Sequence, residues 1–211
     1  DGGTVYPKLI GINSLSGSDD FDGGWGFEPV RQEAYDLYED NDQRKNGGIL
    51  NFATYAAQSG ATYEGRYQDT GNFLKKYLPR ANGNAGYAGS ADMNYNNNLR
   101  VYRYAETLLN AAELLARGVS GTGSAQTYLD EVRDRAGVGS ITATVDNIIK
   151  ERHLEFVGEG KRYWDLVRTG MAATVLAPNE YRKNTWTENK KHLPIPQAEM
   201  DSDSGLTQNP Y

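Results

Sequence analysis

The densest set of charges in the chain runs from Glu151 to Arg168: Glu151, Arg152, Glu155, Glu159, Arg162, Asp165 and Arg168. Two carboxylates at one site could act as the acid and base of a glycosidase. Glu151 and Glu155, at i and i+4, share one helix face. Arg152, Arg162 and Arg168 stand close by in sequence, however, and an Arg–carboxylate pair keeps the acid ionised. A general acid needs the opposite shift. The spacing therefore predicts ion pairs that lock two helices together, not a catalytic dyad.

Other chemistries find little support. Asp20, Asp22 and Gly23 resemble part of a calcium loop, but the closing Glu of that pattern falls on Pro29. Asp201, Asp203 and Gly205 repeat the fragment with no room for a closing Glu, so both read as solvated acidic loops. The chain has no Cys, which removes disulfides, thiol catalysis and thiolate metal sites. Its two histidines, His153 and His192, lie far apart and outside any triad or zinc motif. No glycine-rich phosphate loop and no G-x-S-x-G elbow occurs. A net charge of −6 argues against a nucleic-acid footprint. No cofactor is implied, and the chain reads as non-enzymatic.

Aromatic residues set in polar loops are the better signal. Phe21, Trp25 and Phe27 lie among Gly, Ser and Asp, while Tyr63, Tyr67, Tyr87 and Tyr95 lie among Gly and Asn. A sugar ring has an apolar face and a rim of hydroxyls, so aromatic planes and amide or carboxylate groups together suit it. The competing role is to pin long loops to the core, since half-buried amphipathic rings commonly do that. Trp25 fits that role least. Gly23, Gly24 and Gly26 surround it, and it has no periodic apolar partner.

The elements that would position these groups divide unevenly. With 211 residues the chain makes one domain or two small ones. It has 24 Gly, and Tyr outnumbers Phe 15 to 5, which favours loops and amphipathic surface. Residues 1–95 carry 13 acids and 8 bases and read as a loop-rich, ligand-facing segment. Residues 96–211 carry regular helical periodicity. A helix is predicted over Pro29–Glu39, a strand over 49–56, and further strands over Ala61–Tyr67 and Phe73–Tyr77. Acids at the end of the first helix, Glu39, Asp40 and Asp42, oppose its dipole and call for a partner such as Arg44 or Lys45.

In the second half, Leu99–Arg117 shows one stripe of Val101, Tyr104, Ala105, Leu108, Ala112 and Leu115. Ser124 caps a following helix that Gly137 stops, making an αα-hairpin. Thr144 caps a third helix to Val157, broken by Gly158 and Gly160, and Lys161–Arg168 forms a short fourth. Pro194 and Pro196 force Leu193–Pro196 to be extended, and Thr207–Tyr211 reads as coil. The fold class is thus mainly α, with long loops and a few short strands. No run of about 20 apolar residues is present to span a membrane as a helix. The chain starts at Asp1 with no signal peptide, as a mature, trimmed or partial chain would.

Four ordered motifs carry a family resemblance. They begin with Arg103-Tyr104-Ala105-Glu106, Leu108-Leu109 and Ala112-Glu113, followed by Leu129-Asp130-Glu131-Val132-Arg133 with Arg135-Ala136-Gly137. The third runs from Ile149-Lys150-Glu151-Arg152 through Glu155-Phe156, Glu159-Gly160, Arg162 and Trp164-Asp165-Leu166 to Arg168-Thr169-Gly170. The last is Leu193-Pro194-Ile195-Pro196, Glu199 and Leu206-Thr207-Gln208-Asn209-Pro210. Together they resemble the C-terminal region of the SusD/RagB family, nutrient-binding lipoproteins of the Bacteroidetes outer membrane. One departure is the Gly missing between Pro210 and Tyr211; another is Gln43 where the family has Pro.

The resemblance implies a tetratricopeptide-like αα-hairpin packed on a loop-rich region. It implies that the Glu151–Arg168 charges are shared framework. It further implies an absent N-terminal portion carrying a lipid anchor, which would be the chain's only tie to the membrane. The protein would bind oligosaccharide or polysaccharide at the cell surface, without catalysis, above a SusC-like TonB-dependent transporter. By location, the ligand residues would be Trp25 and Phe21, then Tyr6, with Tyr63 and Tyr67 from the aromatic loops. The alternative is an interaction module of the uptake complex, with Leu99–Ala136 docking a partner helix or with a peptide as ligand.

Overall fold

Short helices and single backbone bridges, more than strands, carry the first hundred residues of the computed structural model, which describes residues 3–84, 90–179, 183 and 186–210. The chain divides into two units, residues 1–160 and 161–211. The loop-rich half and the helical hairpin share the first unit because buried ion pairs, described below, tie residues 42–44 to helices more than 80 residues away.

The first unit opens with α1 (Tyr6–Ile10), which has Pro7 in its first turn. The next helix, α2, spans Gln32–Asp36, shorter than the Pro29–Glu39 that periodicity predicts. Val30 explains the late start. Its N–H donates to Asn72 O, and its carbonyl accepts from Thr70 Oγ1. These bonds tie Val30 to residues 70–72, and Arg31 after it is still extended, with ψ 145°, so the helix opens only at Gln32. Then come α3 (Gln43–Gly48), capped by the Asp42 carboxylate, and β1 (Leu50–Asn51).

The strand expected over 49–56 ends after these two residues. Asn51 Oδ1 accepts from Thr54 N–H at 3.1 Å and starts α4 (Phe52–Ser59), which Gly60 closes with φ 73°. The alternation of Leu50, Phe52, Thr54 and Ala56 misleads because an Asn cap outweighs two or three alternating residues. β2 (Asn72–Phe73) pairs antiparallel with β1, setting Leu50 opposite Phe73. The strand expected over Ala61–Tyr67 is reduced to one bridge, Ser16 with Thr62. Around these short elements pack Ile12, Phe21, Leu50, Phe52, Phe73 and Leu78. A second cluster joins Ile10, Val30, Tyr38, Ile49, Leu74 and Tyr77 to Leu154.

The helical part is α5 (Tyr104–Ala116), α6 (Ala125–Ala136) and α7 (Val145–Glu155). Ser124 Oγ accepts from Thr127 N–H, Thr144 Oγ1 accepts from Asn147 N–H, and Gly137 ends α6 with φ 76°. These caps and stop agree with the sequence. The start of α5 does not. Arg103 stays extended, and Val101 and Tyr104, expected inside, are 78% and 67% exposed. The buried face is Ala105, Leu108, Leu109 and Ala112, which meets Leu129, Val132, Ile148 and Phe156.

Gly158 follows α7 at φ 72°, and a Cβ placed there would stand 2.2 Å from Leu74 Cδ2. Gly160 has the same φ but open space around it. Gly158→Ala should therefore cost about 2–4 kcal/mol, from backbone strain plus overpacking. Gly160→Ala should cost only the strain, about 1–2 kcal/mol. Urea midpoints of the two variants test the contrast, and equal losses would contradict it.

The second unit contains α8 (Arg162–Arg168), α9 (Ala172–Val175) and α10 (Gln197–Ser202). Residues 207–210 are coil, as expected, but they are anchored. Gln208 both accepts from Ile195 N–H and donates to Ile195 O, and Asn209 Nδ2 donates to Leu193 O. Among the described residues no helix is long and apolar enough to cross a membrane.

Candidate ligand-binding site

Trp25 is held out from the first unit by its own backbone and its neighbours'. Residues 24–27 run against the end of α1: Trp25 N–H donates to Lys8 O, Gly26 N–H to Gly11 O and Phe27 N–H to Leu9 O. The two backbones touch. A Cβ at Gly24 would lie 2.4 Å from Gly11 Cα, so only glycine allows the approach. With the backbone secured, the side chains face outward, and Trp25 is 48% and Phe27 45% exposed. Their rings meet edge to face at 6.0 Å.

Arg66 completes this patch. Its guanidinium donates to Trp25 O and lies 5.1 Å over the Phe27 ring. The loop carrying Arg66 is itself fastened: Glu64 N–H donates to Asn13 O, Asn13 Nδ2 to Glu64 O, and Ser14 Oγ to the Glu64 carboxylate. The result is an exposed indole beside the Arg66 guanidinium, on loops fastened through Asn13, Ser14 and Glu64. Such an arrangement can cover the apolar face of a ring while bonding to polar groups at its rim. Sequence inspection finds Phe27 among the loop aromatics but has no signal for Arg66, whose contact with residue 25 spans 41 positions.

The other expected ligand residues are placed differently. Phe21 is only 4% exposed. It packs edge-on against Tyr55, with the Arg80 guanidinium over it. Its ring belongs to the core, which removes it from the surface available for stacking. Tyr6 is half-buried against Tyr77 and donates to the Glu28 carboxylate. Burial first, then that carboxylate, raise its phenol pKa. Tyr63 leans on Phe52 and donates to Asp69 at 2.6 Å; burial and that bond push it up to about 12. Tyr67 is 85% exposed. Tyr87 lies outside the described residues. Among the described residues no group of three or more acidic, His or Cys side chains is placed to hold a metal ion.

The charged framework is a second, separate constellation. Glu151 and Glu155 are 1% and 2% exposed. Arg44 bridges them at 2.6 and 3.0 Å and holds Asp42 as well. Arg133 pairs with Glu151 and with Glu39. Arg103 and Arg135 both donate to Glu155, and Arg103 and Lys76 to Glu159. The network is therefore real, but its main cations come from α3, α6 and the extended entry to α5. Arg152 donates to Asn110 and also faces the Glu106 carboxylate at 3.9 Å. Burial pushes the Glu155 carboxyl up, but Arg103, Arg135 and Arg44 overcome it and hold it below its ordinary range. Glu159 behaves the same way through Arg103 and Lys76. Neither has the raised pKa that a general acid requires.

The chain is similar to proteins that are solved or curated. Surface glycan-binding protein A from Bacteroides thetaiotaomicron, solved in complex with laminarihexaose, is 52% identical with a TM-score of 0.90. The match covers 100% of this chain and 47% of that one. A laminarin-binding SusD-like protein is 38% identical with a TM-score of 0.84, over 99% of this chain and 44% of that one. SusD-like protein P2 of Formosa agariphila is 28% identical over 88% of this chain and 40% of its own length. The chain thus spans less than half the length of these relatives. The family model described as the SusD family matches residues 50–211, which takes in the helical hairpin, the charged framework and the terminal Leu-Pro-Ile-Pro segment; the chain belongs to the SusD family.

Proposed function

We propose that this chain takes part in non-catalytic capture of a laminarin-type glucan at a bacterial cell surface, with Trp25 as the stacking residue. The observation that carries this is the half-exposed indole, held by three backbone hydrogen bonds beside Arg66. Two solved relatives support the ligand class, one in complex with laminarihexaose and one described as laminarin-binding. Phe27 and Tyr67 would flank the sugar, and Tyr6 and Tyr63 would contribute from their half-buried positions. In this reading the whole protein is an outer-membrane lipoprotein that delivers the glycan to a SusC-like TonB-dependent transporter.

Isothermal titration of the protein with laminarihexaose, cellohexaose and maltohexaose tests the reading. One stacked ring and a few hydrogen bonds should give a micromolar Kd, about −8 kcal/mol, for laminarihexaose. No heat with any of the three would reject glycan capture. A second reading, an interaction module, has one observation behind it: Leu99, Val101, Tyr102, Tyr104 and Leu114 are all more than half exposed. It predicts that the protein binds a partner of the uptake complex while remaining silent toward glycans.

A further inference from the structure

A cleft of about 450 Å³ is lined by α3, Lys76, the segment entering α5, Arg135 and the two acids Glu155 and Glu159. That volume falls within the usual span of small-molecule pockets. None of its lining residues belongs to the Trp25 patch. It presents five cations, Arg44, Lys76, Arg100, Arg103 and Arg135, in a protein of net charge −6.

The two acids in the cleft are already used. Glu155 accepts from Arg103 and Arg135 on one oxygen and from Arg44 on the other. Glu159 accepts from Lys76 and Arg103 on one oxygen and from Arg103 on the other. Both are held ionised, so neither offers a proton to a ligand. Arg44 and Arg103 in turn spend all three of their guanidinium nitrogens on acceptors within the protein.

Arg100 and Arg135 differ. Arg135, 58% exposed, donates to Glu155 through one nitrogen alone. Arg100 gives one nitrogen to Lys76 O and lies 5.0 Å over the Tyr77 ring. Among the described residues their remaining nitrogens have no acceptor. Each guanidinium is therefore fixed by one bond and presents the rest of its donor fork, the geometry that matches carboxylate and sulfate.

Gly47, the penultimate residue of α3, lines the cleft as well. A Cβ there would meet nothing within 4 Å, so a larger side chain at this position has room to extend.

We propose that this cleft binds the oxyanion of a small ligand, a carboxylate or a sulfate, through Arg100 and Arg135. The site is distinct from the glucan patch and does not depend on it. The test is titration of the full chain at low ionic strength with sodium sulfate, sodium glucuronate and, as neutral control, glucose, followed by NMR and calorimetry. Saturable binding of sulfate or of glucuronate, with none of glucose, is expected. Saturation by sulfate alone would mark a tetrahedral anion, and by glucuronate alone a carboxylate.

Arg100→Gln and Arg135→Gln should each weaken binding about tenfold, as loss of a bond to a charged group does. Gly47→Leu should weaken it similarly by filling the cleft with no change of charge. Absence of saturation by either anion up to about 50 mM would overturn the proposal, because affinity that weak is no site. So would binding that survives both Arg135→Gln and Gly47→Leu unchanged.

Discussion

Trp25→Ala should weaken laminarihexaose binding by about 30-fold or more, the scale of losing an aromatic anchor worth about 2 kcal/mol. The fold should hardly notice. The indole is 48% exposed, and residues 24–27 are secured by backbone bonds that survive truncation. The melting temperature should stay within about 2 °C. Phe21→Ala should do the reverse, because that ring is 4% exposed and packed among core residues. It should cost about 3–5 kcal/mol of stability. Calorimetric titration beside thermal melting, on both variants, separates the roles. Unchanged affinity in Trp25→Ala would take the indole out of the site.

Glu155→Ala should be among the most destabilising single changes in the chain, at about 3–5 kcal/mol. It leaves Arg44, 10% exposed at its side chain, and Arg103 without the acceptor they share. Asp42 and Glu151 still hold Arg44 and Glu159 still holds Arg103, so the penalty is the loss of one buried carboxylate that three cations share, together with the cavity it leaves. Urea unfolding at neutral pH measures it, and a loss below about 1 kcal/mol would mean that water reaches these charges.

The pH dependence has a definite sign. Glu155 and Glu159 titrate below their ordinary 4.5 in the folded protein. Between the folded and unfolded values the unfolded chain binds more protons, so stability rises with pH there. Their contribution is full above about 4.5 and is lost as pH falls through the folded values. Glu155→Ala should flatten that acid limb, which unfolding measured down the acid range would reveal.

Much of the helical framework is legible in the chain because its signals are local. A Ser or Thr cap acts three residues ahead, a left-handed glycine ends the helix it follows, and the apolar stripe repeats within one turn. Ser124, Thr144 and Gly137 act as their positions indicate. Where local signals compete, the reading fails. Residues 50–56 alternate like a strand, yet the Asn51 cap turns them into a helix. Pro29 and Val30 look like a helix start, yet both polar groups of Val30 are bonded to residues 70–72.

The partners of the framework acids show the same limit at longer range. Spacing alone shows that Glu151 and Glu155 share a helix face and stand among cations, enough to argue against an acid–base dyad. It does not show that Arg44, 107 and 111 positions away, is the cation between them. Nor does it show that Arg103 abandons the α5 helix to reach Glu155 and Glu159.

The chain by itself determines a mainly helical protein, its caps and stops, an acidic loop-rich first half, and four motifs that mark its family. Those properties reside in residues a few positions apart, and a local pattern records them. Only the tertiary structure decides which loop aromatic faces water. Phe21 and Trp25 have the same kind of neighbours in sequence, Gly, Ser and Asp. One is drawn inside beneath Arg80 and against Tyr55, while the other is pushed out by the contact of Gly24 with Gly11 and bordered by Arg66. Contacts across tens of residues set that difference, and no periodicity in the chain encodes them.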